Sequence, residues 1–331
     1  MFGYSLSFGP DIHGIIGNLD WIGLRGVGVE PNPDYAPTVP HIAFMIYQAM
    51  FAVITPALIT GAFAERMKFS AFLVFTLVWS TVVYDPVAHW IWGNGGWLRN
   101  IGVLDFAGGL VVHLSSGISA LAAAIIIGKR KGYLQEAIYP HNLPMTVLGA
   151  GILWFGWFGF NAGSALSSGA LSAMAFVATH TSAVAATMAW VVIEWIHRGK
   201  PTMFGAATGS IAGLATITPA SGFVGPMPAL VIGLVAGGIC YFALNMKSRF
   251  GYDDSLDAFG VHGVGGAVGI LCTGLFAQKL INPSGADGLF FGSYKLVIAQ
   301  IVAIGIISVY SFVVTAVILK VLDVSVGLRV D

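Results

Sequence analysis

Two of the eight histidines in this 331-residue chain, His113 and His262, each follow an Asp that opens a long stretch without Asp, Glu, Lys or Arg. Each stretch is opened by the same dipeptide. Leu104-Asp105 precedes Gly108-Gly109 and then His113, while Leu256-Asp257 precedes His262 and then Gly265-Gly266. An imidazole holds or passes a proton near neutral pH, bonds through either nitrogen, or ligates a metal. Nothing here favours the metal. No His-x-x-His or His-x-x-x-His pair occurs, and Cys240 and Cys272 sit far apart in apolar runs as small fillers, at neither disulfide nor metal spacing. A membrane metalloenzyme is therefore disfavoured. From the residues alone, two readings of the histidines stay open: separate structural residues bonded to nearby backbone, or two groups on one pathway. Asp105 reads as a helix N-cap that orders whatever follows it, and Asp257 as a cap only.

The elements that position these residues follow from composition. Hydrophobic residues make up 56% of the chain and charged residues 9%, against roughly 25% charged in soluble domains. The segments 41–64, 143–193, 201–246, 258–278 and 296–319 hold no Asp, Glu, Lys or Arg. A membrane span takes about 20 apolar residues, so the two longest segments each hold two spans, with turns near Gly163–Gly169 and Thr218–Gly222. Adding 69–84 and 101–128 predicts nine spans in an all-α polytopic membrane protein. Continuous apolar runs, rather than alternation, exclude a β-barrel.

Charge sets the orientation. If the span at 41–62 ends in the cytoplasm, eleven of the fifteen Lys and Arg fall on the inner side, and Arg25, Arg99, Lys279 and Lys295 on the outer side. That places the Asp331 end in the cytoplasm. The net charge of zero says nothing about nucleic acid, and no basic patch argues for it, so no nucleic-acid partner is expected. Met1 is followed by Phe-Gly-Tyr with no basic n-region, so no secretory signal is read. His13, His41, His89, His141, His180 and His197 read as loop or interface residues, and Glu194 as a carboxylate snorkelling to the inner water. Asp85, beside Pro86, breaks an otherwise apolar pattern without an evident reason.

The carboxylate-then-histidine pattern opens spans three and eight, which an odd number of steps sets antiparallel. That is the mark of an inverted repeat, whose interface carries the transport site. Span eight closes a five-span unit starting at Leu143, whereas span three closes a unit of only three. The count predicts that two spans are missing and that Met1-Phe2-Gly3-Tyr4-Ser5-Leu6 is the outer tail of a lost helix.

Asp105-Phe-Ala-Gly-Gly-Leu-Val-Val-His113, Trp157-Phe-Gly-Phe-Asn-Ala-Gly-Ser164 and Asp257-Ala-Phe-Gly-Val-His-Gly-Val-Gly265 resemble the signatures of the ammonium transporter (Amt/Mep/Rh) family. So do Ala64-Glu65-Arg66, Pro140-His-Asn-Leu-Pro144 and Val326-Gly-Leu-Arg-Val330, in order along essentially the whole chain. The resemblance implies eleven spans, two inverted five-span halves plus a final helix, assembled as a homotrimer with one pore per subunit in the plasma membrane. On that scheme, 1–40 is the remnant of the second helix with an outer loop. Residues 41–128 are the rest of the first half, 143–278 the second half and 293–322 the final helix. It implies His113 and His262 as twin pore histidines, Phe51 and Phe160 as a stacked gate, and Trp92 and Ser164 as the ammonium recruitment site. Asp105, Gln48, Trp157 and Thr218 fall to the pore mouth and wall. It implies no cofactor and no enzyme activity. A PII-type regulator is an implied partner through a cytoplasmic tail that this sequence does not include.

Magnitudes bear on the mechanism. Moving a small ion from water into a medium of low dielectric costs on the order of 20 kcal/mol before relaxation, while one aromatic ring returns roughly 0.5–2 kcal/mol. Two histidines and little else polar line the expected route. The expectation is that ammonium loses its proton and crosses as ammonia. The alternatives are an Rh-type gas channel and a membrane sensor joined to a signalling module.

Overall fold

A computed structural model describes residues 1–136 and 138–330, and Asp331, expected at the cytoplasmic end, lies outside the described residues. The chain is mostly helical. A short helix α1 (Gly3–Phe8) and a small hairpin, β1 (Asp11–Ile12) with β2 (Ile16–Gly17), precede the bundle. The bundle comprises α2 (His41–Phe63), α3 (Phe69–Trp79, continued through a π turn Ser80–Tyr84 into Asp85–Trp92), α4 (Gly109–Ile127) and α5 (Leu143–Ala162). After these come α6 (Ala170–Arg198), α7 (Met203–Ile217), α8 (Pro226–Phe250), α9 (Phe259–Phe276) and α10 (Tyr294–Ser325).

Among the described residues eight helices are long and apolar enough to cross a membrane, where the sequence predicts nine spans. The ninth, α7, has only 15 residues, about 22 Å at 1.5 Å per residue. Thr218–Val224 completes its path as irregular but fully buried backbone. Such backbone is tolerated at membrane depth only where protein surrounds it. Pro219 supplies part of that surround, its ring lying where a Cβ on Gly109 would sit 2.5 Å away. The span expected at 101–128 likewise begins only at Gly109, because Gly108 takes φ +118 and ends the irregular stretch before it.

The same helices explain Asp85 and Pro86. Proline removes an N–H and crowds the carbonyl four residues back. Here the π turn Ser80–Tyr84 absorbs that fault, and Tyr310 of α10 donates its hydroxyl to the carbonyl of Val82 at 2.6 Å. The helix therefore runs on to Trp92 instead of ending at residue 84. Asp85 is buried and accepts a hydrogen bond from Ser7 of α1 at 2.9 Å.

The glycines spaced by four on α7 pack within the subunit. A Cβ on Gly213 would come 2.6 Å from Ala186 Cβ, and one on Gly209 2.7 Å from Trp190 Cβ, both on α6. Gly205 meets Glu194 in the same way. Glu194 does not snorkel: it is 3% exposed, and its carboxylate accepts the Thr202 backbone N–H at 3.0 Å and is bonded by the Thr202 hydroxyl at 3.1 Å. It thereby holds Thr202, whose hydroxyl caps α7 by accepting the Gly205 N–H at 2.9 Å, and that role outweighs reaching for water.

Candidate functional site

Helices α4 and α9 both open with a π turn, Gly109–Leu114 and Phe259–Gly263, and each turn holds one of the two histidines. The helices cross at near-backbone contact. A Cβ on Gly117 would lie 2.0 Å from the backbone nitrogen of Gly263, and one on Gly266 2.9 Å from the carbonyl oxygen of Gly109. This approach brings His113 Nδ1 within 3.2 Å of His262 Nδ1, across 149 positions of sequence, with the rings nearly parallel at 20°. His113 is 1% exposed and His262 8%.

Aromatic rings extend the pair outward as a column. His113 stacks on Phe160 at 5.8 Å and 16°, and on Trp157 at 5.4 Å and 25°. Phe160 meets Phe51 at 4.7 Å, and Phe51 meets Trp92 edge-on at 5.4 Å. Above these rings opens a vestibule of about 470 Å³, lined by Tyr47, Gln48, Phe51, Trp92, Asp105 and Ser164 among others. The residues singled out in the sequence thus lie along one path from vestibule to histidine pair.

Hydrogen bonds hold that path. Asp105 Oδ1 accepts the backbone N–H of Gly108 at 2.8 Å and of Gly109 at 2.6 Å, and Oδ2 that of Leu110 at 2.7 Å and Val111 at 3.2 Å. One carboxylate therefore meets the unpaired amides that the start of a helix leaves behind. Its own backbone oxygen accepts Trp92 Nε1–H at 2.8 Å, which fixes the indole at the mouth. Gln300 of α10 clamps the preceding residue, accepting Leu104 N–H at 3.2 Å and donating to its carbonyl at 2.7 Å. Thr218 joins Trp157 and His113: the indole N–H donates to its hydroxyl oxygen at 2.9 Å, and His113 Nε2 lies 3.3 Å away.

Two residues went unnoticed in the sequence. Tyr47 lies one turn before Phe51 on α2, and its hydroxyl bonds the Phe160 carbonyl at 2.8 Å and the Ser164 hydroxyl at 3.0 Å. The i, i+4 spacing to Phe51 is the signal that could have found it. At the other end, Asp254 caps α9 by accepting the Phe259 N–H at 2.8 Å. Asp257, expected as that cap, instead pairs with Lys247 at 2.5 Å from a left-handed backbone of φ +62.

The remaining histidines stay off this path. His41 bonds Tyr4 at 2.7 Å, and His197 bonds Tyr241 at 2.7 Å. His89 is fully buried in α3 between the Ser7 carbonyl at 3.0 Å and Asp11 at 2.9 Å, inside a helix that the sequence reading ended too early. His13, His141 and His180 are exposed, and Cys240 and Cys272 are free and buried.

A family model described as Ammonium Transporter Family matches residues 1–331. The chain belongs to the ammonium transporter family. An ammonium transporter of Bacillus subtilis (strain 168) is 52% identical over 330 residues, which cover 99% of this chain and 80% of that protein. The crystal structure of Saccharomyces cerevisiae Mep2 superimposes with a TM-score of 0.94 at 37% identity, covering 100% of this chain and 77% of the other. A structure titled Sensor Amt Protein matches with a TM-score of 0.89 at 30% identity, covering 99% and 82%. Membership makes this a multi-pass membrane transport protein and not an enzyme.

Proposed function

We propose that this chain carries ammonium through a pore of its own, recruiting the cation in the vestibule and passing the nitrogen on as ammonia. The observation that carries the proposal is the unbroken column Phe51, Phe160, His113, His262, ending in two imidazoles 3.2 Å apart. Trp92 and Ser164, with Gln48 and Tyr47 beside them, offer a ring face and side-chain oxygens at its mouth, a setting worth roughly 0.5–2 kcal/mol per ring to a cation. That return does not offset the ~20 kcal/mol idealised cost of carrying an ion into an apolar lumen. Below the tilted Phe51–Phe160 pair the walls are rings and the two histidines, so the proton is shed and ammonia bonds an imidazole nitrogen. Trp157 and Thr218 form the wall behind His113, and Asp105 holds the turn that carries it.

The matching π turns of α4 and α9 support an inverted repeat of 41–128 against 143–278, with α10 as the final helix. The excess of Lys and Arg on one side supports an inward-facing C-terminal end in the plasma membrane. Family membership supports a homotrimer, and a PII-type protein as the regulatory partner of an Amt pore. Uptake of ¹⁴C-methylammonium by cells lacking their own transporters tests the central reading. Saturable uptake that ammonium competes away is expected, and none above the empty-vector level at verified expression would overturn it. A second reading, an ammonium sensor, draws support from the likeness to the structure titled Sensor Amt Protein. Specific binding without flux in the same cells would favour it.

A further inference from the structure

Thr218 is fully buried in the turn after α7, and its hydroxyl meets three polar atoms, Trp157 Nε1, the Leu214 carbonyl oxygen and His113 Nε2. Phe106 N–H bonds the neighbouring Pro219 carbonyl at 3.1 Å, and Pro219 packs against Gly109, so the turn is fixed to the start of α4. A hydroxyl has one hydrogen and two lone pairs, and an indole N–H only donates. Trp157 therefore fills one lone pair of Thr218 Oγ1, at 2.9 Å. The single hydrogen goes to the Leu214 carbonyl at 2.8 Å, a shorter and better contact than the 3.3 Å to His113 Nε2. What remains for His113 is the second lone pair, so His113 Nε2 must carry a hydrogen and donate it.

The rest follows along the pair. In the neutral state one nitrogen of each ring is protonated, so His113 Nδ1 is bare. The 3.2 Å Nδ1–Nδ1 contact then needs its hydrogen from His262. His262 Nε2 is left with a free lone pair, and no partner for it is found among the described residues. We propose that Thr218, anchored by Trp157 and the Leu214 carbonyl, is a positioning residue that fixes the histidine pair in one tautomer and leaves His262 Nε2 as its open acceptor. This rests on the transport reading above for its functional meaning. Ammonia donates an N–H to His262 Nε2, or ammonium gives that nitrogen a proton, leaving neutral ammonia and one positive charge on the pair. The other tautomer would place the open acceptor on His113 Nε2, behind the ring and against the wall. Thr218 thus directs the pair's basic nitrogen to one end.

The test is ¹⁵N solid-state NMR of the histidine-labelled protein in lipid bilayers, where a protonated ring nitrogen is told from a bare one by its shift and its bonded hydrogen. The native protein should show His113 protonated on Nε2 and His262 on Nδ1. Thr218→Ser keeps the hydroxyl and should keep this pattern, with maximal methylammonium flux within about twofold of native. Thr218→Val keeps the shape but strands two N–H groups. It should exchange the protonated nitrogens on both rings and lower flux about tenfold. A native His113 protonated on Nδ1 overturns the proposal, and that spectrum needs no variant to fold. An unchanged pattern in Thr218→Val overturns it too, as does an exchanged pattern with native flux. Absence of flux in the native protein would count against the transport reading alone, because the spectrum is read independently.

Discussion

Asp105→Asn isolates what one carboxylate does for the pore. The four amides it accepts are those of Gly108, Gly109, Leu110 and Val111, at 2.6 to 3.2 Å. Asparagine has the same shape but exchanges one acceptor oxygen for an NH₂ group, so two of the four amides lose their partner and face a donor. Leaving a buried donor unpaired costs roughly 1–3 kcal/mol, so the expected loss is about 2–6 kcal/mol, above the ~0.5–2 kcal/mol of an ordinary N-cap. These amides open the same π turn that carries His113, so the cost falls on the histidine's position as well as on stability. Trp92 bonds the backbone oxygen of Asp105, which the substitution leaves in place. The assays are the thermal midpoint of the purified protein in detergent and methylammonium uptake normalised to surface expression. The midpoint should fall and the maximal rate should drop at least tenfold, while the half-saturating concentration stays within about twofold. A variant that keeps its midpoint and maximal rate would refute the clasp. Loss of affinity at full maximal rate would instead make Asp105 part of the recruitment surface.

Three further outcomes are expected. Replacing His113 and His262 together by acidic residues puts charge and water into the lumen, so potassium current should appear on planar membranes where the native protein gives none; full ammonium selectivity in that variant would remove the histidines as the filter. Arg66, 3% exposed, donates to the carbonyls of Ala62, Gly128 and Asp253, while Arg130 holds the Asp253 carboxylate at 2.8 Å, so Arg66→Met leaves buried carbonyls unpaired and should destabilise by about 1–3 kcal/mol in denaturant or thermal melts. An unaltered melt would show the clamp to be dispensable. Asp254, outside the spans, has its carboxyl pushed up to about 6 by burial, with Asp257 adding to it. A raised folded value means its favourable contribution is complete below the ordinary carboxylate range and is lost as pH rises through about 6. The difference in midpoint between native and Asp254→Asn protein should therefore change between about pH 4 and 6 and be flat above it; a difference independent of pH would contradict this.

The sequence by itself determined the class and named most of the residues that meet around the histidine pair. Lipid is a uniform apolar solvent, so each spanning segment declares itself locally, through an uninterrupted run free of charge. His113 and His262 stood out because each follows a Leu-Asp opening of such a run, which His180, also in an uncharged run, does not. Phe51, Phe160, Trp92 and Ser164 were legible only through resemblance, because an aromatic ring in an apolar helix looks the same whether it packs, anchors or gates. Tertiary structure decided whatever depended on partners far along the chain. Pro86 reads as a helix end until Tyr310, over two hundred residues later, satisfies the carbonyl it frees. Glu194 reads as a residue bound for water until Thr202 offers two hydrogen-bonding groups. Asp254 and Asp257 compete for the same cap within four residues, and Lys247 on the preceding helix decides between them. The hydrogen-bond chain from Leu214 through Thr218 and His113 to His262 was invisible for the same reason. Composition reports the solvent around a segment, whereas a hydrogen bond's direction is set by every group its atoms meet, and only the fold brings those together.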